Sequence, residues 1–242
     1  MKLSLIIPAY NEEKLLGACL SSAKEAIAGC GITSDRVEII VCDNNSTDAT
    51  AAVARDAGAR VVFEPVNQIS RARNSGAKAA SGDWFLFIDA DSWLKAATLG
   101  KTLAAMRSGR YAGGGAAVGF DRLPTYRAQV MVNGWNLLSR SFKVAAGSYL
   151  FCRADAFRDV GGFSEKVFAA EELVMSQAIK RWGRERGLGF VIVQGAPHIS
   201  SGRKLYLYKE SELLALALKL VFTPLKAVSG TKHLSLFYDG RR

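Results

Sequence analysis

This chain lacks most of the signatures that reveal a function at a glance. Its four cysteines, Cys19, Cys30, Cys42 and Cys152, show no C-x-x-C spacing, and none lies near either histidine in sequence. That pattern argues against a zinc knuckle or a redox dithiol, and it suits the reduced thiols of a cytoplasmic protein. No G-x-x-x-x-G-K-[ST] occurs and no G-x-G-x-x-G follows an apolar run, so P-loop and dinucleotide-binding readings drop out. No apolar run is long enough to span a membrane: the longest uncharged stretch, residues 187–202, contains Gln194, Pro197 and His198. Residues 1–8 carry one lysine and a short apolar run ending at Pro8, which reads as a first strand rather than a signal peptide. Acidic residues are scarce as well. Against 32 Lys and Arg stand 22 Asp and Glu, a net charge of +10, and the pI is near 9.6. Such a balance points to an anionic partner: nucleic acid, a phosphorylated metabolite or an acidic lipid surface.

What is present is a globular composition, 49% hydrophobic and 22% charged over 242 residues, enough for one substantial domain. Apolar runs at 3–8, 37–42, 60–63 and 84–88 alternate with helical periodicity at about 11–28, 49–57 and 70–80. This is the α/β pattern of a Rossmann-like, mostly parallel sheet flanked by helices. Further on the spacing predicts a helix over 95–106, a strand over 113–119, a helix over 128–139, a strand over 145–152, a turn at Gly161-Gly162-Phe163, a helix over 171–182 and a last strand over 189–193. From residue 206 the chain becomes an apolar tail broken by lysines.

In sheets of this class, ligands bind beyond the carboxyl ends of the strands. Three polar clusters fall on that edge: Ala9-Tyr10-Asn11-Glu12-Glu13, Asp43-Asn44-Asn45-Ser46 and Asp89-Ala90-Asp91. The last is the sharpest, since two carboxylates one residue apart at a strand end suit a hard divalent cation carrying diphosphate oxygens. Glu171-Glu172 opens a predicted helix, and adjacent helical residues point about 100° apart, so one of the two faces any crevice.

Residues 5–13, 41–48, Arg71-Ala72-Arg73-Asn74-Ser75-Gly76 and Ile88-Asp89-Ala90-Asp91 resemble, in order and spacing, the motifs of family 2 glycosyltransferases with the A-type fold. Gly161-Gly162-Phe163 with Glu171-Glu172 extends the likeness to about residue 204. The resemblance implies a nucleoside-diphosphate-sugar donor, a divalent metal (Mg2+ or Mn2+), an acceptor hydroxyl and transfer with inversion. Carried over by position, Pro8, Ala9, Tyr10 and Glu12 line the nucleoside pocket and Asp43 reads the base. Arg71 and Arg73 lie near the diphosphate, joined by the basic pair Arg203 and Lys204. Asp91 is the principal metal ligand, Asp89 meets ribose or metal-bound water beside Ala90, and His198, in a loop after the last strand, is a third metal ligand. Glu172 is the base, with Glu171 in reserve, although the family's pair is Glu-Asp. Asn44-Asn45 also departs from the family's Asp-Gly-Ser.

Two rival classes fit less well. A nucleotidyltransferase needs a Gly-rich, Arg-bearing loop after the first strand, which Ala9-Tyr10-Asn11-Glu12 does not provide. A nucleic-acid-binding module exposes aromatics among its cations, whereas Trp84, Phe85 and Phe87 fall in a buried-type strand. The expected architecture is a catalytic unit over 1–205, with a nucleotide-sugar half at 1–92 and an acceptor half at 93–205. A helical basic and apolar tail over 206–242 is suited to peripheral contact with an anionic membrane on its cytoplasmic side.

Overall fold

The computed structural model describes residues 1–166 and 171–203. Lys204 and the tail beyond it, including the predicted helix from 206, lie outside the described residues.

Chain order is β1 (Leu3–Ala9), α1 (Leu16–Gly29), β2 (Val37–Asp43), α2 (Thr50–Asp56), β3 (Arg60–Phe63), α3 (Ile69–Ala79), β4 (Trp84–Ile88), β5 (Ser92–Trp93), α4 (Ala96–Arg107), β6 (Tyr111–Phe120), α5 (Tyr126–Phe142), β7 (Tyr149–Arg153), α6 (Ala154–Asp159), α7 (Glu171–Arg184) and β8 (Gly189–Ser200). The eight strands form one sheet in the order β3-β2-β1-β4-β7-β6-β8-β5. The first four pair in parallel, as the alternation predicts. β7 enters antiparallel to both β4 and β6, while β6 and β8 are parallel. Strands with helices over both faces read as continuous apolar runs, and β1 and β4 are buried throughout. Their alternate residues supply two cores. Leu5, Ile7, Leu86 and Ile88 pack with α1 and α4. Ile6, Phe85 and Phe87 pack with α6 and α7, where Phe87 stacks on Phe157 at 5.5 Å and meets Phe163 edge-on at 5.1 Å.

Several boundaries differ from the sequence pattern, each for a local reason. The first helix starts at Leu16 rather than residue 11, because Asn11 turns left-handed at φ 51° and the following residues bond to the β2 loop. The strand expected from 145 starts at Tyr149, whose N–H closes a turn on Ala146 O at 3.1 Å. The last strand does not stop at residue 193. Two-sided pairing with β6 and with the two-residue β5 carries it on to Ser200, past a register shift between Ala116 and Val118. His198 therefore sits inside a strand rather than in a loop, and it is fully buried. Among the described residues, no helix is long and apolar enough to cross a membrane.

Gly113-Gly114-Gly115 make β6 a strand almost without side chains. A Cβ on Gly113 would lie 2.7 Å from Phe151 O, and one on Gly114 would collide with Val191 O and the Phe151 ring. Gly114→Ala is expected to destabilise the fold by about 1–3 kcal/mol or more, since the obstacle is backbone and cannot rotate away. Urea unfolding measures this, and an unchanged midpoint would refute it.

Candidate functional site

The parallel half brings the three polar clusters together at the carboxyl ends of β1, β2 and β4, as the alternation predicts. Asn44 N–H bonds Ala9 O at 2.8 Å, Asn11 N–H bonds Ser46 Oγ at 2.9 Å, and Thr47 N–H bonds Asn11 Oδ1 at 2.8 Å. These bonds tie the first loop to the second. Asp43 is buried and accepts from Ser46 N–H at 3.0 Å, while Pro8 and Ala9 are buried and Tyr10 is half-buried at the crevice wall.

Beyond β4 the two aspartates face different partners. Asp89 Oδ1 accepts from Arg73 Nη2 at 3.1 Å. Asp91, buried, lies 3.4 Å from Arg203 Nη2, and the same guanidinium pairs with Glu12. Ala90 between them is buried. Arg203, which follows β8, therefore bridges the first loop and the Asp91 carboxylate. His198 packs its ring 4.8 Å from that of Tyr149, and neither of its nitrogens has a hydrogen-bond partner. Burial pushes its pKa down to about 4 against the opposing charge of Asp89, so at neutral pH it is an uncharged imidazole with an available lone pair. Among the described residues, no three His, Cys, Asp or Glu side chains are grouped so as to hold a metal ion. The donors nonetheless fit a hard cation, because Mg2+ is typically held by one or two carboxylates and completes its shell with phosphate oxygens and water. The orphaned imidazole beside Asp89 is chemically suited to the same ion.

The two arginines of α3 part company. Arg71 is partly exposed and pairs with Glu165 at 2.9 Å. Arg73 is 1% exposed. Its Nη1 pairs with Glu171, its Nη2 bonds Asp89 and Gly147 O (2.9 Å), and its guanidinium stacks over Phe163 at 5.2 Å. Residues two apart on a helix point roughly 200° apart, so the spacing itself contained this divergence. Burial pulls the Arg73 pKa down, but the carboxylates of Glu171, Asp89 and Glu172 outweigh it and hold it above the usual value. Sequence reasoning gave no role to Asn74 and Gln68 of the same strap. Asn74 bonds both N–H (2.8 Å) and O (2.9 Å) of Phe163, and Gln68 donates to Glu165 O at 2.8 Å. Gly162 fits this clamp because its φ is 75° and a Cβ there would meet Asn74 Oδ1 at 2.7 Å.

Glu171 and Glu172 begin α7 and diverge as adjacent helical residues must. Glu171 is buried on Arg73. Glu172 is half-buried beside Gly147, within 3.4 Å of where a Cβ on that glycine would stand. Its pKa is raised well above the ordinary value, first by desolvation and then by the Glu171 charge, with Arg73 opposing. A carboxyl so shifted binds a proton readily near neutral pH, which is what a general base requires.

Against known proteins, the profile of Glycosyl transferase family 2 matches residues 4–161. The putative glycosyltransferase EpsH of Bacillus subtilis is 31% identical over 97 residues, covering 38% of this chain and 26% of its own. The first curated relatives are far longer than the match, which spans 21% to 27% of their lengths. Among solved structures, mannosyltransferase PcManGT from Pyrobaculum calidifontis, in complex with GDP-Man and Mn2+, superposes with a TM-score of 0.64 at 19% identity, over 83% of this chain and 56% of its own. S. aureus TarS 1-349, in complex with UDP-GlcNAc, does so with 0.63 at 19% identity, over 83% and 58%. These similarities show a curled, mostly parallel sheet of the glycosyltransferase A type.

Two stability measurements follow from the buried charges. Arg73→Met leaves Glu171 and Asp89 without their cation and is expected to cost about 3–5 kcal/mol, as when one partner of a buried pair is removed. A cost below about 1 kcal/mol in chemical denaturation would contradict the hub. Glu172 has the opposite sign. Its folded pKa lies above the unfolded value near 4.5, so the group adds no cost at pH 4 and an increasing one as pH rises toward its folded pKa. Glu172→Gln is therefore expected to match the parent at pH 4 and exceed it at pH 8, the gap widening by up to about 1.4 kcal/mol for each step of one in pH across that interval. A difference independent of pH would show that the carboxyl is not desolvated.

Proposed function

The chain belongs to Glycosyl transferase family 2, and from that premise we propose that it moves a sugar from a nucleoside-diphosphate donor, with UDP as the nucleotide, to an acceptor hydroxyl by direct inverting displacement. The observation that carries this reading is the meeting of Asp43, Asp89 and Asp91 at one sheet edge with the proton-binding Glu172, joined across the β4–β7 seam through Arg73. The nucleotide sugars held by the two structural neighbours support the donor class.

In this mechanism Pro8, Ala9 and Tyr10 wall the nucleoside pocket, Glu12 closes it, and Asp43 reads the base. Asp91 would hold Mg2+ or Mn2+, with Asp89 or His198 as a second protein donor, and the ion would offset the charge of the departing diphosphate. Arg203 turns its guanidinium from Asp91 toward the diphosphate oxygens, for which a planar bidentate donor is well matched. Lys204, next in sequence and outside the described residues, would add charge to the diphosphate site, and Arg71 lies at the rim. Glu172 takes the proton from the acceptor hydroxyl as it attacks the anomeric carbon from the face opposite the leaving group. Glu171 stays on Arg73 and holds α7 in register with Asp89. No covalent enzyme intermediate forms. The four free cysteines support a cytoplasmic setting for the reaction.

Screening nucleotide sugars with Mn2+ for thermal stabilisation identifies the donor, and NMR of the first-formed product reads the anomeric configuration. Inversion is expected, and a retained anomer would overturn the mechanism. Asp91→Ala is expected to weaken metal-dependent UDP binding at least tenfold in calorimetry. Glu172→Gln should lower turnover by about 10²–10⁴ while leaving UDP binding intact. The parent's rate should rise with pH through a limb lying above the ordinary glutamate range, and an unshifted limb would remove Glu172 from the base's role.

A further inference from the structure

Helix α5 is inside out. At 100° per residue, Ala128, Val132, Asn136 and Ser139 fall on one stripe roughly 80° wide, and this stripe carries the helix's only fully buried side chain, Ser139. Its grip on the domain is polar: Asn136 Oδ1 accepts from Val118 N–H at 2.9 Å and its Nδ2 donates to Val118 O at 2.8 Å, satisfying β6 where its register shifts. Over a half-turn of its surface, from Tyr126 round to Trp135 at the edge of that stripe, the helix exposes Tyr126 (83% exposed), Val130, Trp135, Leu137, Leu138 and Phe142 (64%). Eleven large apolar side chains are exposed among the described residues, and seven of them stand on this one helix. Such a concentration marks a surface made to be covered.

Charge selects the cover. Of the basic residues around the helix, Arg122 pairs with Asp121 at 3.5 Å and Arg153 with Asp155 at 2.7 Å, while Arg140 and Lys143 stand at its C-terminal end, with no Asp or Glu from residue 122 to 154. At the helix's C-terminal end Lys180 donates to Phe142 O at 2.8 Å, and the charges of Arg184 and Lys143 bear on it there. A second copy packed face to face would set these cations against themselves. Residues 204–242 carry seven Lys or Arg against three Asp or Glu and offer no acidic complement. An aromatic-rich apolar face with a cluster of cations at one end is the composition that seats a helix in the headgroup region of an anionic bilayer.

We propose that α5 is a membrane-docking helix that lays its outward apolar face on an anionic lipid surface. The segment following it runs through Lys143 to Gly147, whose carbonyl accepts from Arg73 and which borders Glu172, so docking would set this side of the crevice at the bilayer. The inference is independent of the transferase reading, which vesicle binding does not test.

The experiment uses the whole chain with vesicles of phosphatidylcholine, alone or mixed with phosphatidylglycerol. Sedimentation with the mixed vesicles is expected, weakened by salt, with little on the neutral ones. The double variant Leu137→Glu, Leu138→Glu is expected to lose at least tenfold in partitioning at an unchanged melting temperature, because both side chains are exposed. As a second measurement, brominated lipid should quench the parent's tryptophan fluorescence, and Trp135→Phe should remove most of that quenching. Failure of the parent to sediment overturns the proposal. Partitioning or quenching unaltered by these substitutions does so too, since another surface would then hold the vesicle. A dimer in sedimentation velocity that the double variant dissociates would assign the face to a second copy instead.

Discussion

One buried guanidinium ties elements from both halves of this molecule together at the crevice. Arg73 arises from α3, which packs on the parallel strands, and reaches Asp89 at the end of β4, the carbonyl before β7 and the first residue of α7. Removing such a group from water is costly, and only a nearly complete set of acceptors offsets it. The Arg73 Nε is left without a partner. The three bonds it does make each go to a different element, so the geometry of Asp89, Gly147 and Glu171 is mutually determined. The charge that keeps Arg73 protonated also fixes the division of labour between the adjacent glutamates. Glu171 is neutralised by contact, while Glu172, which Arg73 stabilises only from a distance, bears the desolvation.

How much of this could be read beforehand depends on the range of the cause. Parallel strands announce themselves locally, and both the edge strand 60–63 and the buried strand 84–88 fall where the apolar runs put them. The clustering of residues 9–13, 43–46 and 89–91 follows from topology alone. The second half was harder to read because its determinants are distant. β5 is two residues long and exists only as a partner for β8. β8 extends past Gly195 and Pro197 because strands on both sides require it, and α6, six residues long, carries no readable period. Arg71 and Arg73 look equivalent in the sequence. Only the helical angle between them hinted that one would turn outward to Glu165 and the other inward.

The +10 charge also finds its place. Part of it is internal, committed to carboxylates by Arg73, Arg71 and Arg203. Another part is concentrated at the C-terminal end of α5, where Arg140 and Lys143 meet Lys180 and Arg184 of α7. A basic surface over an apolar one is a different object from the dispersed positive field that binds nucleic acid, since its cations flank hydrophobic area instead of interleaving with exposed stacking platforms.

The antiparallel seam between β4 and β7 has one further consequence. Ile88 faces Tyr149 across it, so Asp89 and the Gly147 carbonyl stand just past the last paired residues, on opposite sides of the joint. A shift of two residues along this pair would preserve every inward and outward side chain yet move the two sides by about 6.6 Å, since a strand rises about 3.3 Å per residue. A one-residue shift would turn every side chain to the wrong face. The seam thus acts as a ruler: the distance between the Asp89 side of the crevice and the Gly147 side is counted out in ladder hydrogen bonds.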